Sequence, residues 1–253
     1  MIDVEKFTCC GGHKINEDSY LVTEQIFAVA DGLGGHENGE VASAKAMKCL
    51  AQHKGESYSF ENIVSIVEEA NKAVHDLNSP ARTTIAAAFV ENDSFRYINV
   101  GDSRVYYFKH GKLFAQTKDH SVCQAAVDMG TMKPEEIRTS EDRSKLLKVL
   151  GDSDNLNIKK NYPEIIMEDG DAFLICSDGF WEYVLEEEME VDYLKSDSAK
   201  TWISYLLKRQ LLRAKDEGDN YTVICGIIRT DEEKEPVKKG WKSLFSAWKE
   251  RKS

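Results

Sequence analysis

The sequence has no apolar run approaching the ~20 residues that a helix needs to span a bilayer, and its opening, Met1-Ile2-Asp3-Val4-Glu5, lacks the basic-then-apolar pattern of a signal peptide. A soluble, cytoplasmic protein is therefore expected. No CxxC spacing occurs among the six cysteines, Cys9, Cys10, Cys49, Cys123, Cys176 and Cys225. Free thiols are the expectation, rather than disulfides or a zinc site. Positive charge is in short supply: the net charge of −11 argues against general nucleic-acid binding. No internal repeat is visible. The glycine-rich stretch Gly32-Leu33-Gly34-Gly35 has no Lys-Ser/Thr after it, so a P-loop nucleotide binder is excluded.

What is present is a set of acids at the ends of buried strands. Asp31 follows Ile26-Phe27-Ala28-Val29-Ala30, and Asp178 follows Ala172-Phe173-Leu174-Ile175-Cys176-Ser177. Asp219 precedes the strand-like run Tyr221 to Ile228, and Glu17-Asp18 precedes Tyr20-Leu21-Val22. A carboxylate where a buried strand stops is a poor core residue but a good ligand for a hard divalent cation. If neighbouring strands run antiparallel, the end of one and the start of the next share an edge, and these acids converge.

With 253 residues and 42% hydrophobic content the chain can bury a substantial core. Apolar spacing predicts helices over 39–53 and about 60–77, the latter with Ile63, Ile66, Val67, Ala70 and Val74 on one face. Strands are predicted over 84–90, 95–100, 104–108 and 113–116, joined by links short enough for an antiparallel meander. A polar helical stretch over 121–150, strands over 164–176, helices over 183–215 and a last strand over 221–229 complete an α+β order. Residues 1–230 are read as one domain; 231–253 are read as a charged linker and a basic amphipathic tail.

Taken together and in order, Asn16-Glu17-Asp18, Asp31-Gly32-Leu33-Gly34-Gly35-His36, Thr83-Thr84, Gly101-Asp102-Ser103-Arg104, Thr117-Lys118-Asp119-His120-Ser121, Ser177-Asp178-Gly179 and Asp219-Asn220 resemble the PP2C (PPM) metal-dependent protein serine/threonine phosphatases. Leu33, in place of the histidine of animal members, and the segment at about 122–151, similar to a flap subdomain, resemble the bacterial branch. The resemblance implies a four-layer α/β/β/α sandwich with two central antiparallel sheets. It also implies two tightly bound Mn²⁺ or Mg²⁺ ions, and a metal-bridging hydroxide that hydrolyses phosphoserine and phosphothreonine monoesters. By resemblance, Asp31 bridges the two metals, Asp178 and Asp219 complete the first, and the Gly32 carbonyl reaches the second. Glu17 and Asp18 act mostly through water, and Asp119 shares a third metal with Asp178. Asp31, Asp178, Asp219 and Asp18 carry the catalysis. Asp102 and Arg104 are read as a buried structural turn, and Trp181 as core.

Two departures stand out. His13 occupies the position where relatives place a phosphate-gripping arginine; an imidazole cannot chelate bidentately and with a pKa of ~6.5 is only partly charged at pH 7. Phosphate binding then falls to the metals, to protonated His13 or to Lys14. Leu33 removes the general acid of animal relatives, with His36 a nearby candidate. Expected partners are phosphoproteins and a cognate Ser/Thr kinase pathway, with no nucleic acid and a monomeric state. In the tail, Trp241, Leu244, Phe245 and Trp248 recur at helical spacing beside lysines. This face suits an anionic membrane surface, a partner groove, or packing on its own domain. The alternative to an enzyme is a phosphatase-fold regulatory or binding module with little turnover, which His13 favours.

Overall fold

The structure is a computed structural model that describes residues 1–34, 38–152, 156, 158, 163–215 and 217–229. His36 and the predicted linker and tail, 231–253, lie outside the described residues. The strands are β1 (Ile2–Cys9), β2 (Ser19–Val22), β3 (Ile26–Ala30), β4 (Gly32–Leu33), β5 (Arg82–Thr83), β6 (Ile85–Glu91), β7 (Ser94–Val100), β8 (Arg104–Lys109), β9 (Lys112–Gln116), β10 (Ile165–Ile166), β11 (Ala172–Cys176) and β12 (Tyr221–Ile228). The helices are α1 (Gly39–Leu50), α2 (Phe60–His75), α3 (Val122–Asp128), α4 (Asp178–Trp181), α5 (Glu186–Leu194) and α6 (Ala199–Ala214).

Two five-stranded antiparallel sheets, ordered β1-β12-β11-β8-β9 and β10-β7-β6-β3-β2, pack face to face. Side-chain alternation explains the layering. On β3, Phe27 and Val29 enter the core between the sheets, whereas Ile26, Ala28 and Ala30 face α1 and α2. On β11, Phe173 and Ile175 enter the same middle core, whereas Leu174 and Cys176 face α5 and α6. The Phe27 and Phe173 rings meet across the sheets at 5.0 Å between centroids. Helix starts follow their caps: Ser59 accepts the Asn62 amide at 3.2 Å before α2, and Ser198 accepts the Thr201 amide at 3.2 Å before α6. The four-layer α+β sandwich is thus the fold.

One expectation needs correction, and one strand was not anticipated. The meander breaks between β7 and β8, because these strands belong to different sheets. Gly101, at φ +99°, turns the chain from one sheet to the other, whereas the β6–β7 link at Asn92-Asp93 and the β8–β9 link at His110-Gly111 are hairpins within one sheet. Secondly, β1 is a full edge strand paired with β12 from Ile2↔Ile228 to Cys9↔Tyr221; its charged residues hid the alternation of Ile2 and Val4. The flap region holds α3 and a 3₁₀ turn, Pro134–Thr139, and returns to the domain where Leu150 bridges Thr83. All six cysteines are free thiols, with Cys123, Cys176 and Cys225 buried.

Candidate metal centre

Antiparallel pairing brings the predicted acids to one end of the sandwich. Ser19 pairs with Ala30, so Asp18 and Asp31 flank one edge; Cys176 pairs with Val223, so Asp178 and Asp219 flank the other sheet's edge. Asp178 is the common neighbour. Its carboxyl shares a hydrogen bond with that of Asp31, and the charges of Asp18 and Asp219 are felt alongside it. Burial, then mutual repulsion, pushes these acids up: Asp18 to about 7, Asp178 to about 6 and Asp31 well above the carboxylate range. For Asp18 the Ser177 and Thr222 hydroxyls oppose that rise.

The surrounding side chains fix these acids in place. Ser177 donates to Asp18 Oδ2 at 2.7 Å, and its own Oγ accepts the Thr222 amide at 3.0 Å. The Asp31 amide donates to Thr84 Oγ1 at 3.0 Å, the Thr83 hydroxyl donates to the Asp31 carbonyl at 2.8 Å, and Ser103 Oγ meets Thr84 Oγ1 at 2.7 Å. Asn220 accepts the Glu17 amide at 2.7 Å and donates to the Cys10 carbonyl at 2.8 Å, joining the 10–17 turn to the start of β12. Gly32 must be glycine: a Cβ there would lie 2.2 Å from the Gly39 carbonyl oxygen and 2.7 Å from that of Glu17. Glu17 sits against Gly39, and burial together with Glu40 and Asp219 raises its pKa.

The donor set fits a hard divalent cation. Asp18 Oδ1 and Asp178 Oδ1 are buried with no hydrogen-bond partner. Among the described residues, no Lys or Arg pairs with Asp18, Asp31 or Asp178. A cluster of carboxyl groups whose ionisation is disfavoured, with orphaned oxygens and only oxygen donors, lacks a positive charge that Mg²⁺ or Mn²⁺ would supply.

The remaining predicted residues fall at different distances from this centre. His13 and Asp219 stand at its solvent rim, their side chains 59% and 55% exposed, with His13 Nε2 3.2 Å from Asp219 Oδ1. Lys14 is exposed beside them. Asp119 is placed differently from the expectation: both its oxygens are held by Arg104, at 2.8 and 2.7 Å, in a buried bidentate pair. The Arg104 guanidinium also lies 3.6 Å from the Trp181 ring centroid. The acid facing the cluster is Asp102, buried, raised by burial and next by the charge of Asp178, with its carbonyl accepting Trp181 Nε1 at 2.9 Å. Sequence reading assigned Asp102 with Arg104 to a buried structural turn, and both are buried, but it gave Asp102 no place beside the acids because Gly101-Asp102-Ser103 passes for a hairpin turn. Ser177 as the orienter of Asp18 was missed as well; its place directly before Asp178 was the available signal.

A sequence profile described as Protein phosphatase 2C matches residues 12–214. The chain belongs to the protein phosphatase 2C family. This PP2C chain is 31% identical over 185 residues to the serine/threonine protein phosphatase PstP of Mycobacterium tuberculosis, covering 68% of this chain. It spans only 35% of the length of PstP. With the serine/threonine phosphatase stp of Listeria monocytogenes it shares 31% identity over 230 residues, covering 83% of this chain and 88% of the relative. The PP2C fold is shared with the crystal structure of the PstP catalytic domain in complex with two manganese ions (TM-score 0.77, 25% identity, 90% of this chain and 99% of that one). It is shared also with Stp1 of Staphylococcus aureus (TM-score 0.79, 26% identity, 91% and 96%).

Proposed function

We propose that this protein is a metal-dependent protein serine/threonine phosphatase that hydrolyses phosphoserine and phosphothreonine monoesters on proteins, using two Mn²⁺ or Mg²⁺ ions. The observation that carries the reading is the group of buried carboxylates Asp18, Asp31 and Asp178, with orphaned oxygens on two of them and no cationic partner. Asp31, Asp178, Asp219 and the Gly32 carbonyl would hold the ions, with Asp18 and Glu17 alongside. When bound, such a pair supplies Lewis acidity at the phosphoryl group and ionises water near neutral pH for in-line attack.

The chain's own contribution is orientation. Ser177 fixes Asp18, and Thr83 and Thr84 fix Asp31. Ser177 and Cys176 are fully buried and so out of a substrate's reach as nucleophiles: the Ser177 hydroxyl is taken up by Asp18 and the Thr222 amide, and burial holds the Cys176 thiol well up. His13 and Lys14 are exposed at the rim beside Asp219 and would meet substrate oxygens there. For a third cation, Asp102 is the better partner of Asp178, because Arg104 already occupies both oxygens of Asp119.

The proposal extends to a monomer working in the cytoplasm opposite a Ser/Thr kinase, with residues 231–253 contacting a membrane surface or a partner. Among the described residues, no helix is long and apolar enough to cross a membrane. The test is hydrolysis of a phosphothreonine peptide with Mn²⁺, with chelator and with Asp178→Asn. Activity is expected only for the wild type with metal; activity surviving chelator or the substitution would contradict the reading. Metal binding without turnover would favour the regulatory module, the reading that His13, in the place of arginine, supports.

A further inference from the structure

A second group of metal-ligating side chains comes together among the described residues, at the other end of α1 from Gly32. Cys49 in the last turn of α1, His53 in the 3₁₀ turn Ala51–His53 and Glu69 on α2 bring one ligand atom each to within 4.8 Å of one another. Ten residues of helix, about 15 Å, separate Gly39 from Cys49, so this group is not part of the acid cluster.

His53 is the informative member. Its side chain is only 14% exposed, and both ring nitrogens face carboxylates: Nδ1 lies 3.0 Å from Glu56 Oε1, and Nε2 lies 3.1 Å from Glu69 Oε2. A neutral imidazole has one N–H and can donate to only one of them. The other contact then sets a nitrogen lone pair against a carboxylate oxygen, which is repulsive unless a positive charge lies between. A second proton would serve, giving an imidazolium between two glutamates. A metal ion would serve as well and would also account for the Cys49 sulfur, which lies within 4.8 Å of the ligand atoms of His53 and Glu69.

We propose that Cys49 Sγ, His53 Nε2 and a Glu69 carboxylate oxygen form a Zn²⁺ site that fastens the end of α1 to α2. Sulfur, imidazole nitrogen and carboxylate oxygen are the donor types Zn²⁺ takes, with a fourth position left for water. Mg²⁺ and Mn²⁺, which prefer oxygen shells, are directed instead to the acid cluster. Glu56 supplies the outer-sphere carboxylate, accepting Nδ1–H and so leaving Nε2 free to ligate. Asn62 Nδ2, at 3.4 Å from Glu56 Oε2, steadies that glutamate. Burial, then Glu69, raises the Cys49 thiol above its usual range while Lys45 opposes, so the sulfur carries its proton until metal displaces it. Binding therefore releases a proton to solvent and strengthens as pH rises.

The site does not depend on the phosphatase reading, and its test does not use activity. The full chain, kept in excess Mg²⁺ to fill the acid cluster, is titrated with Co²⁺ as a spectroscopic stand-in for Zn²⁺. A thiolate-to-cobalt charge-transfer band in the near ultraviolet is expected, removed on adding Zn²⁺ and absent in Cys49→Ser and His53→Gln. Glu56→Gln should weaken Co²⁺ binding about 10- to 100-fold. Thermal melting without metal checks that each variant is folded. No band in the wild type, or a band that persists in Cys49→Ser, overturns the site. A wild-type band retained in His53→Gln removes His53 as a ligand and overturns it equally.

Discussion

Ser177, which directly follows β11 in one sheet, donates its hydroxyl proton to Asp18 Oδ2, at the edge of the other sheet, at 2.7 Å and across 159 residues of sequence. Replacing the hydroxyl in Ser177→Ala leaves Asp18 buried with neither oxygen fixed by that bond, and removes the acceptor of the Thr222 amide. Weakening of Mn²⁺ binding by about 10- to 100-fold is expected, as for other residues that orient a metal ligand. Calorimetric titration of metal into the two proteins measures it. Equal affinities would show that Asp18 needs no such support.

Asp102 and Asp119 should separate cleanly in a paired experiment. Asp119→Asn breaks the buried bidentate pair and leaves the Arg104 guanidinium only the more distant Glu186 carboxylate, at 3.6 Å, a loss of up to about 3–5 kcal/mol. Asp102→Asn removes a carboxyl that burial and Asp178 already disfavour as an anion, so the fold should tolerate it. Urea denaturation is expected to show a large deficit only for Asp119→Asn, and Mn²⁺ titration to show weakened binding only for Asp102→Asn. The reverse pattern would return the metal-facing role to Asp119.

These two acids also show what the sequence made legible. Asp31, Asp178 and Asp219 could be singled out because each abuts a run of buried strand residues, where an acid needs a reason. Asp102 gave no such sign, because a three-residue link between strands looks alike whether it closes a hairpin or carries the chain to another sheet. The Arg104–Asp119 pairing depends on where β8 lies relative to the loop after β9, and nothing local encodes that. The edge strand β1 escaped because Asp3, Glu5 and Lys6 interrupt its apolar residues. The helices α1 and α2 were legible because their apolar residues recur at a helical period.

His13 lies 3.2 Å from Asp219 at the rim, where a longer planar cation has room to reach past it. His13→Arg is expected to lower KM for a phosphothreonine peptide with kcat little changed, since the added fork grips phosphate oxygens in substrate and transition state alike. Steady-state kinetics at saturating Mn²⁺ decides it. An unchanged KM would place residue 13 outside the phosphate site.

Acid stability should carry the mark of Glu188. Hydrogen bonding from Arg213, with further help from the Leu185 amide and Arg209, lowers its pKa from 4.5 to about 2. A depressed carboxyl stabilises the fold above its unfolded pKa and loses that contribution as pH falls through the folded one. The stability deficit of Glu188→Gln should therefore be constant above pH ~5 and shrink between about 4.5 and about 2. Urea midpoints of both proteins across that range test it; a deficit that grows on acidification would contradict the assignment.

The Phe27–Phe173 contact between the sheets has a wider consequence. Asp18 and Asp31 ride on one sheet, Asp178 and Asp219 on the other, so the thickness of the hydrophobic filling works as a caliper for the ions. Cations held from both jaws would clasp the halves of the sandwich in return. Withdrawing them with a chelator should lower the melting temperature, and trimming Phe173 to leucine should alter metal affinity from deep inside the molecule, where no ligand is touched.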